Sequence, residues 1–361
     1  MLFMSASTDP GALKSQQNVP MAVVIWLLVC CALVFAMVVI GGVTRLTGSG
    51  LSMVEWQPLM GIIPPLGEAE WHAAFVQYQS FPEFQYVNSD MDLAGFKFIF
   101  YFEYAHRLLG RVIGLVFLLP MLWFWWRNRL NRAVKPHLLF LFVLGALQGL
   151  LGWYMVKSGL VDNPRVSQYR LMAHLCMAVV IYGYMLFIAL ELMRADLPAF
   201  MRSTHTVSGL PGAMLLLVFV MIASGALVAG THAGHIYSTY PDMHGQWIPD
   251  GIMALTPWWL NVLENPVTIQ FDHRWLGIIV LVSAITVRVL ITRRGFGPLK
   301  FTASALVLMV ALQVVLGIAT LLAQVPVFLG ALHQAGALAV FTIALVLFQK
   351  SRHTGVHRIR D

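Results

Sequence analysis

The chain has 361 residues, of which 59% are hydrophobic and 11% are charged, and its mean hydropathy is +0.76. Soluble domains carry about 25% charged residues, so this composition excludes an ordinary soluble domain and indicates an integral membrane protein. The formal net charge of +7 would suit a polyanionic partner, but the placement of the charges gives it another meaning.

Long apolar stretches set the number of membrane spans, because a spanning helix needs about 20 such residues. Eight stretches qualify, and we predict an all-α integral membrane protein with eight transmembrane helices. The predicted helices cover residues 21–43, 99–125, 136–157, 170–191, 210–230, 270–291, 301–322 and 329–349.

Basic residues collect beside alternate spans. They are Arg127, Arg129, Arg132 and Lys135, then Arg194 and Arg202, then Arg288, Arg293, Arg294 and Lys300, and finally Lys350, Arg352, Arg358 and Arg360. Connections 44–98 and 231–268 are poor in Lys and Arg, so by the positive-inside rule both termini are cytoplasmic and these loops are external. The charge therefore reports orientation in a lipid bilayer and does not call for a nucleic-acid partner.

The first twenty residues hold one Lys and no Arg. They lack the Arg-rich amphipathic character of a mitochondrial transit peptide, and the first apolar segment is longer than a signal-peptide core. We expect a bacterial inner membrane, with a processed organellar protein as the alternative.

The chain also contains an internal repeat. "FEYAHRLLGRVIGLV" matches "IQFDHRWLGIIVLV", "LGALQGLLG" matches "MVALQVVLG", and the fourth apolar segment matches the eighth. The aligned polar pairs are His106 with His273, Gln148 with Gln313, and His174 with His333. Since each half has an even number of spans, we predict two four-helix bundles related by a pseudo-twofold axis along the membrane normal.

The repeat and the charges together divide the chain into parts. The predicted parts are a cytoplasmic tail (1–20), an N-terminal four-helix half (21–191), a cytoplasmic linker (192–209), a C-terminal four-helix half (210–349) and a basic cytoplasmic tail (350–361).

Four histidines occupy equivalent positions in the even-numbered spans, and they are His106, His174, His273 and His333. Each lies 19–21 residues before a basic residue at the cytoplasmic end of its span, which places it roughly 28–32 Å from the inner surface. All four are therefore expected at one level near the outer boundary of the hydrocarbon, so that facing helices of each half present two imidazoles to each other.

Paired imidazoles on facing helices suit a planar macrocycle held between them, and haem iron accepts axial histidines in such bundles. A single membrane histidine is more often a helix-packing hydrogen bond, but four in a paired repeat favour a ligand role. Zinc fits less well, because a structural zinc site needs four ligands and these halves offer no further matching Cys or carboxylate.

Arg107 and Arg274 directly follow two of the histidines and point roughly 100° away from them on a helix. Together with Arg45, they are candidates for haem propionate contacts, and snorkelling to the interface is the alternative. Gln148 and Gln313 are interpreted as interhelical hydrogen-bond donors rather than ligands.

The halves differ at one position. Glu103 lies three residues before His106, on the same helical face, whereas Gln270 stands at the equivalent position before His273. A carboxylate beside only one of two haem sites could move protons, which makes Glu103 the candidate catalytic residue. The alternative is a structural ion pair with Arg107 or Arg45.

With these residues identified, the chain resembles the haem A synthase family. The resemblance rests on "GGVTRLTGSGLSMVEWQPLMGIIPP", "FEYAHRLLGR", "LGALQGLLGWYMVKSGL" and "FDHRWLG", and it covers the chain from the first span onward. Some members carry a cysteine pair in the first external loop, which this chain lacks.

The resemblance implies oxidation of the C8 methyl of haem O to a formyl group, giving haem A. It assigns His106 and His174 to the substrate haem, His273 and His333 to a haem b cofactor, and the essential glutamate to Glu103. It also implies haem O synthase as supplier, cytochrome c oxidase assembly as recipient and an electron acceptor, and leaves a homo-oligomer open.

Two other classes remain open from the residues alone. A dihaem b-type electron carrier explains four histidines but not the lone Glu103 or the long external loops. A transporter built on parallel repeats leaves the histidine pairing unexplained.

Overall fold

The computed structural model describes residues 20–54, 62–157, 159, 166–194 and 209–354. Most of the predicted linker and of both predicted tails lies outside the described residues. Eight helices within them are long and apolar enough to cross a membrane. The predicted all-α fold with eight transmembrane helices is therefore confirmed.

The α-helices of the described residues are numbered in chain order. They are α1 (Met21–Leu46), α2 (Glu68–Gln79), α3 (Pro82–Tyr86), α4 (Leu93–Trp126), α5 (Val134–Lys157), α6 (Gln168–Leu192), α7 (Gly209–Gly230), α8 (Leu260–Glu264), α9 (Pro266–Arg293), α10 (Gly297–Leu322) and α11 (Val327–Ser351). The membrane spans are all of these except the short external helices α2, α3 and α8.

Three spans, α4, α9 and α10, begin four or more residues earlier than predicted, and two of them have a side-chain cap. Helix α4 starts at Leu93, where Asp92 Oδ1 accepts a 2.8 Å hydrogen bond from the Gly95 amide. Helix α9 starts at Pro266, after Asn265 Oδ1 accepts from the Val267 amide at 3.0 Å. Both are N-terminal caps, and hydropathy misses the first turns because a helix can continue above the hydrocarbon.

The helices pack in matching pairs. In the first half α1 contacts α4 and α6, and α5 contacts α4 and α6; in the second half α7 contacts α9 and α11, and α10 contacts α9 and α11. Between the halves α1 packs on α11, α6 packs on α7, and α6 also touches α11. This pairing is the one that two twofold-related four-helix bundles would give, and the axis itself stays a prediction.

The first external segment folds against the outer end of α4. Trp71 and Tyr78 of α2 pack into an aromatic cluster with Phe96 and Phe100 of α4. The face of this short helix that carries Trp71 and Tyr78 is thus buried. The cluster also encloses Glu83, 7% exposed, whose carboxylate accepts from the Tyr78 hydroxyl at 3.1 Å.

Candidate functional site

Two of the four histidines lie in each half. His106 lies on α4 and His174 on α6, and both helices pack against α1 and α5; His273 lies on α9 and His333 on α11, and both helices pack against α7 and α10. Each of the four residues is partly buried. This placement is compatible with the pairs that the repeat predicts, and the pairing stays a prediction.

A glycine of a neighbouring span lies against every one of the four imidazoles. A Cβ added at these glycines would approach the Cε1 atom of the ring, at 2.9 Å for Gly41 and His106, 3.0 Å for Gly152 and His174, 3.3 Å for Gly225 and His273, and 2.8 Å for Gly317 and His333. Small residues let helices approach closely. Here they leave the space in which each ring lies.

Two glutamines fix the helices that carry the second histidine of each pair. Gln148 Nε2 donates to the backbone carbonyl of His174 at 3.0 Å, and Gln313 Nε2 donates to that of His333 at 2.6 Å. These are the interhelical hydrogen bonds that the sequence predicts for the glutamine pair.

The ring nitrogens differ in their partners. His273 Nδ1 lies 3.1 Å from the hydroxyl of Ser224. By contrast, the Nδ1 atoms of His106 and His174 are buried and make no hydrogen bond in the part of the chain that the structure describes. Polar atoms of this kind are normally satisfied, so each one calls for an explanation.

The residues present fit a haem in each half. Two imidazoles from different helices are a donor set that haem iron accepts, and a glycine of a neighbouring span lies against each ring. Among the described residues no three His, Cys, Asp or Glu side chains gather into a group that could hold a metal ion alone.

Glu103 lies deep in the outer part of the N-terminal half. Its side chain is 3% exposed, and its Oε1 lies 2.5 Å from the Arg107 guanidinium, one helical turn away. Its Oε2 accepts from the Ser52 hydroxyl and from the Met53 amide, both at 2.7 Å. Both carboxylate oxygens are thus held in place by hydrogen-bond donors.

The same two helical positions anchor the external loop in each half. Arg107 Nη2 donates to the Met53 carbonyl at 2.8 Å. In the other half Gln270 Nε2 donates to the Tyr237 carbonyl at 2.9 Å, and Arg274 donates to the carbonyls of Tyr237 and Thr239 at 3.0 and 2.9 Å.

Comparison of the two halves distinguishes the anchoring of the loop from the presence of a carboxylate at the position of Glu103. The C-terminal half holds its loop with a neutral glutamine and an arginine, so the fold does not require a carboxylate at this position. The predicted ion pair of Glu103 with Arg107 exists, yet loop anchoring alone does not account for its negative charge.

The three arginines that are candidates for propionate contacts differ in their surroundings. Arg107 and Arg274 are directed at the external loops described above. Arg45 lies half-buried in the last turn of α1, and its guanidinium makes no hydrogen bond to another described residue. Of these three arginines, Arg45 is therefore the one whose guanidinium has no hydrogen bond within the described part of the chain.

The sequence reasoning missed several members of this site. Ser52 and Met53 come from a loop about fifty residues before Glu103, so local spacing carries no signal for them. Gly152 and Gly317 are different, because both close the matched motifs "LGALQGLLG" and "MVALQVVLG".

Fold and site define a class, namely a multi-pass helical membrane protein with one histidine pair in each half. Within this class, residues 24–345 match the family model COX15-CtaA, described as cytochrome oxidase assembly protein. The chain belongs to this family.

Individual relatives are similar in sequence to the chain over nearly its full length. The chain is 48% identical to "Heme A synthase" of Nitrosospira multiformis over 355 residues, which cover 96% of the chain and 98% of that relative. It is 45% identical to "Heme A synthase" of Nitrosomonas eutropha over 357 residues, covering 96% and 98%. It is 47% identical to "Heme A synthase COX15" of Homo sapiens over 343 residues, covering 91% and 82%. The family resemblance stated from the motifs is therefore confirmed.

Proposed function

We propose that this membrane protein is a haem A synthase, which oxidises the C8 methyl of haem O to a formyl group. The observation that carries the proposal is a repeated histidine pair with a buried carboxylate, Glu103, beside only one of the two pairs. The relatives named as haem A synthases support the same conclusion.

The N-terminal half is the proposed substrate side. Haem O is held by His106 and His174, and the Nδ1 atoms that lack partners in the described chain belong to this pair. Conversion of a methyl to a formyl group is a four-electron oxidation. Each of two successive hydroxylations takes one oxygen atom from water and releases two electrons and two protons, and the resulting diol loses one water to give the formyl group. The electrons leave to an acceptor outside the chain.

Glu103 supplies a fixed negative charge beside this substrate. It shares a helical face with His106, and the donors from Ser52, Met53 and Arg107 hold its carboxylate in one orientation. A preorganised charge of this kind stabilises positive charge that develops on the substrate as the methyl is oxidised. The hydrogen bonds to both oxygens favour this electrostatic role over proton removal by Glu103.

The C-terminal half is the proposed cofactor side, with His273 and His333 holding haem b. When bound, haem b supplies a redox centre for electron transfer or fills and stabilises this bundle. Ser224 contacts the His273 ring, and Gln313 Nε2 lies 3.1 Å from Nδ1 of the His333 ring. Gln270 and Arg274 hold the external loop over this half.

We place the protein in a bacterial inner membrane with both termini cytoplasmic and both histidine pairs towards the external side. The distribution of Lys and Arg supports this orientation. Haem O synthase would supply the substrate, and cytochrome c oxidase assembly would receive haem A. The division of the chain into residues 21–191 and 210–349 follows the same proposal, and a homo-oligomer is compatible with it.

The rival function, a dihaem b-type electron carrier, is not supported by the comparisons, in which the relatives are named as synthases. It also gives no use for the charge of Glu103, because the C-terminal half builds the same loop anchor with Gln270.

The test uses cells that make haem O but lack their own haem A synthase. The protein is expressed there, and the extracted haems are separated by chromatography with mass detection. Haem A in these cells is the expected result. Unchanged haem O from well-expressed, haem-loaded protein would overturn the proposal, provided that a known synthase works in the same cells.

A further inference from the structure

The two halves differ in how they hold the first histidine of each pair. Ser224 of α7 places its hydroxyl 3.1 Å from Nδ1 of His273. No other hydrogen bond of the His273 ring occurs among the described residues, so Nε2 is left for a ligand. The hydroxyl can accept from Nδ1–H, and in that tautomer Nε2 carries the free lone pair that a metal ligand needs.

The glycines identify the matching position in the other half. Gly225 lies against the His273 ring as Gly41 lies against the His106 ring. The residue before each glycine therefore occupies the equivalent place, and it is Ser224 in α7 and Ile40 in α1. Ile40 has no polar side-chain atom, and His106 Nδ1 is buried without a partner in the described chain.

This difference has a known effect on metal ligands. A histidine that donates its other ring N–H to an acceptor is held in one orientation and becomes a more basic ligand, and loss of that partner lowers metal affinity by about 10–100-fold. A resident cofactor benefits from such a partner. A substrate that must leave as product benefits from its absence.

We propose that Ser224 is a positioning residue that secures the haem of the C-terminal half through His273, and that Ile40 leaves His106 a weaker ligand so that the haem of the N-terminal half can exchange. The inference rests on the proposed function in assigning a resident haem to one half and a substrate haem to the other. It adds a structural reason why the C-terminal half would retain its haem while the N-terminal half releases its haem.

The test measures haem retention and reduction potential in purified holoprotein. Ser224→Ala removes only the hydroxyl. Ser224→Thr keeps a hydroxyl at this position and is the matched control. Haem loss to an excess of a haem-scavenging apoprotein is followed by absorbance, and midpoint potentials are measured by redox titration. In the reciprocal variant, Ile40→Ser, the new hydroxyl can accept from Nδ1–H of His106.

Ser224→Ala should weaken retention of the C-terminal haem by about 10-fold and raise its midpoint potential, because a less basic imidazole stabilises ferric iron less. Ser224→Thr should behave like the wild type, and Ile40→Ser should slow release of the N-terminal haem. Unchanged retention and potential in Ser224→Ala would overturn the inference while leaving the proposed function standing. Absence of haem A from cells expressing the wild type would instead overturn the proposed function.

Discussion

Arg107 donates to Glu103 across 2.5 Å, and the same guanidinium donates to the Met53 carbonyl of the first external loop. The pair joins two tasks in one helical turn, because it holds the loop over the N-terminal half and fixes a negative charge beside His106. In the C-terminal half Gln270 and Arg274 perform only the first task. The predictions below separate the two.

Glu103→Gln should abolish conversion of haem O while leaving haem binding intact. A Gln–Arg pair occupies these positions in the other half, but Gln270 donates there to a carbonyl, whereas both Glu103 oxygens accept. The substitution therefore removes the charge together with one hydrogen-bond acceptor. Haem content and haem A yield are measured on the same preparation. Glu83→Gln, which neutralises another buried carboxyl group of the same external region, is the control and should retain activity. Normal haem A yield from Glu103→Gln would remove Glu103 from the mechanism.

Arg107→Gln should lower thermal stability strongly, because it leaves the Glu103 carboxylate buried without its cation. Breaking a buried pair by removing one partner costs about 3–5 kcal/mol. The double variant with Glu103→Gln should regain much of the lost melting temperature, since no uncompensated charge remains. Melting temperatures of the wild type, both single variants and the double variant complete the cycle. Additive losses would show that the two side chains do not act as a pair.

Gly152→Ala should reduce haem occupancy in the N-terminal half. The added methyl would lie 3.0 Å from Cε1 of His174, and overpacking of this kind costs about 1–3 kcal/mol. Gly149→Ala is the matched control one turn earlier, where nothing lies within 4 Å of the added atom. Haem-to-protein ratios from visible spectra compare the two variants. Equal occupancy would mean that the glycine does not shape the site.

Burial raises the pKa of Glu83 to about 7, while the hydrogen bond from Tyr78 opposes the shift and the charge of Glu103 adds to it. Because the folded state holds this proton more tightly than the unfolded state, stability should fall as pH rises from about 4.5 to 7 and then level off. The change amounts to roughly 3 kcal/mol at most. Glu83→Gln should remove this contribution. Melting temperatures of both proteins between pH 4.5 and 8 check it, and parallel curves would contradict the assignment.

The sequence allowed prediction of the spans and the histidine pairs because both follow from local patterns. Hydropathy marks the helices, and the repeat aligns His106 with His273 and His174 with His333. The site's remaining parts depend on contacts between distant segments. Ser52 reaches Glu103 only because the first loop folds back on α4. In the same way, the hydroxyl of Ser224 contacts His273 only because α7 packs against α9.

The glycines beside the histidines were partly predictable from the sequence. Gly152 and Gly317 were visible in the matched motifs, but nothing in the sequence said that a ring would lie against them. Helix starts show the same limit, since Asp92 and Asn265 begin α4 and α9 above the apolar segments that hydropathy detects.

The central claim is that the two halves bind different haems, and the haem content of two purified variants tests it most directly. His106→Ala and His273→Ala are prepared from cells that make both haem b and haem O, and the haems of each are extracted and identified. The account predicts that His106→Ala keeps haem b but lacks haem O and haem A, and that His273→Ala loses haem b. Loss of haem b from His106→Ala with its retention in His273→Ala would contradict the account.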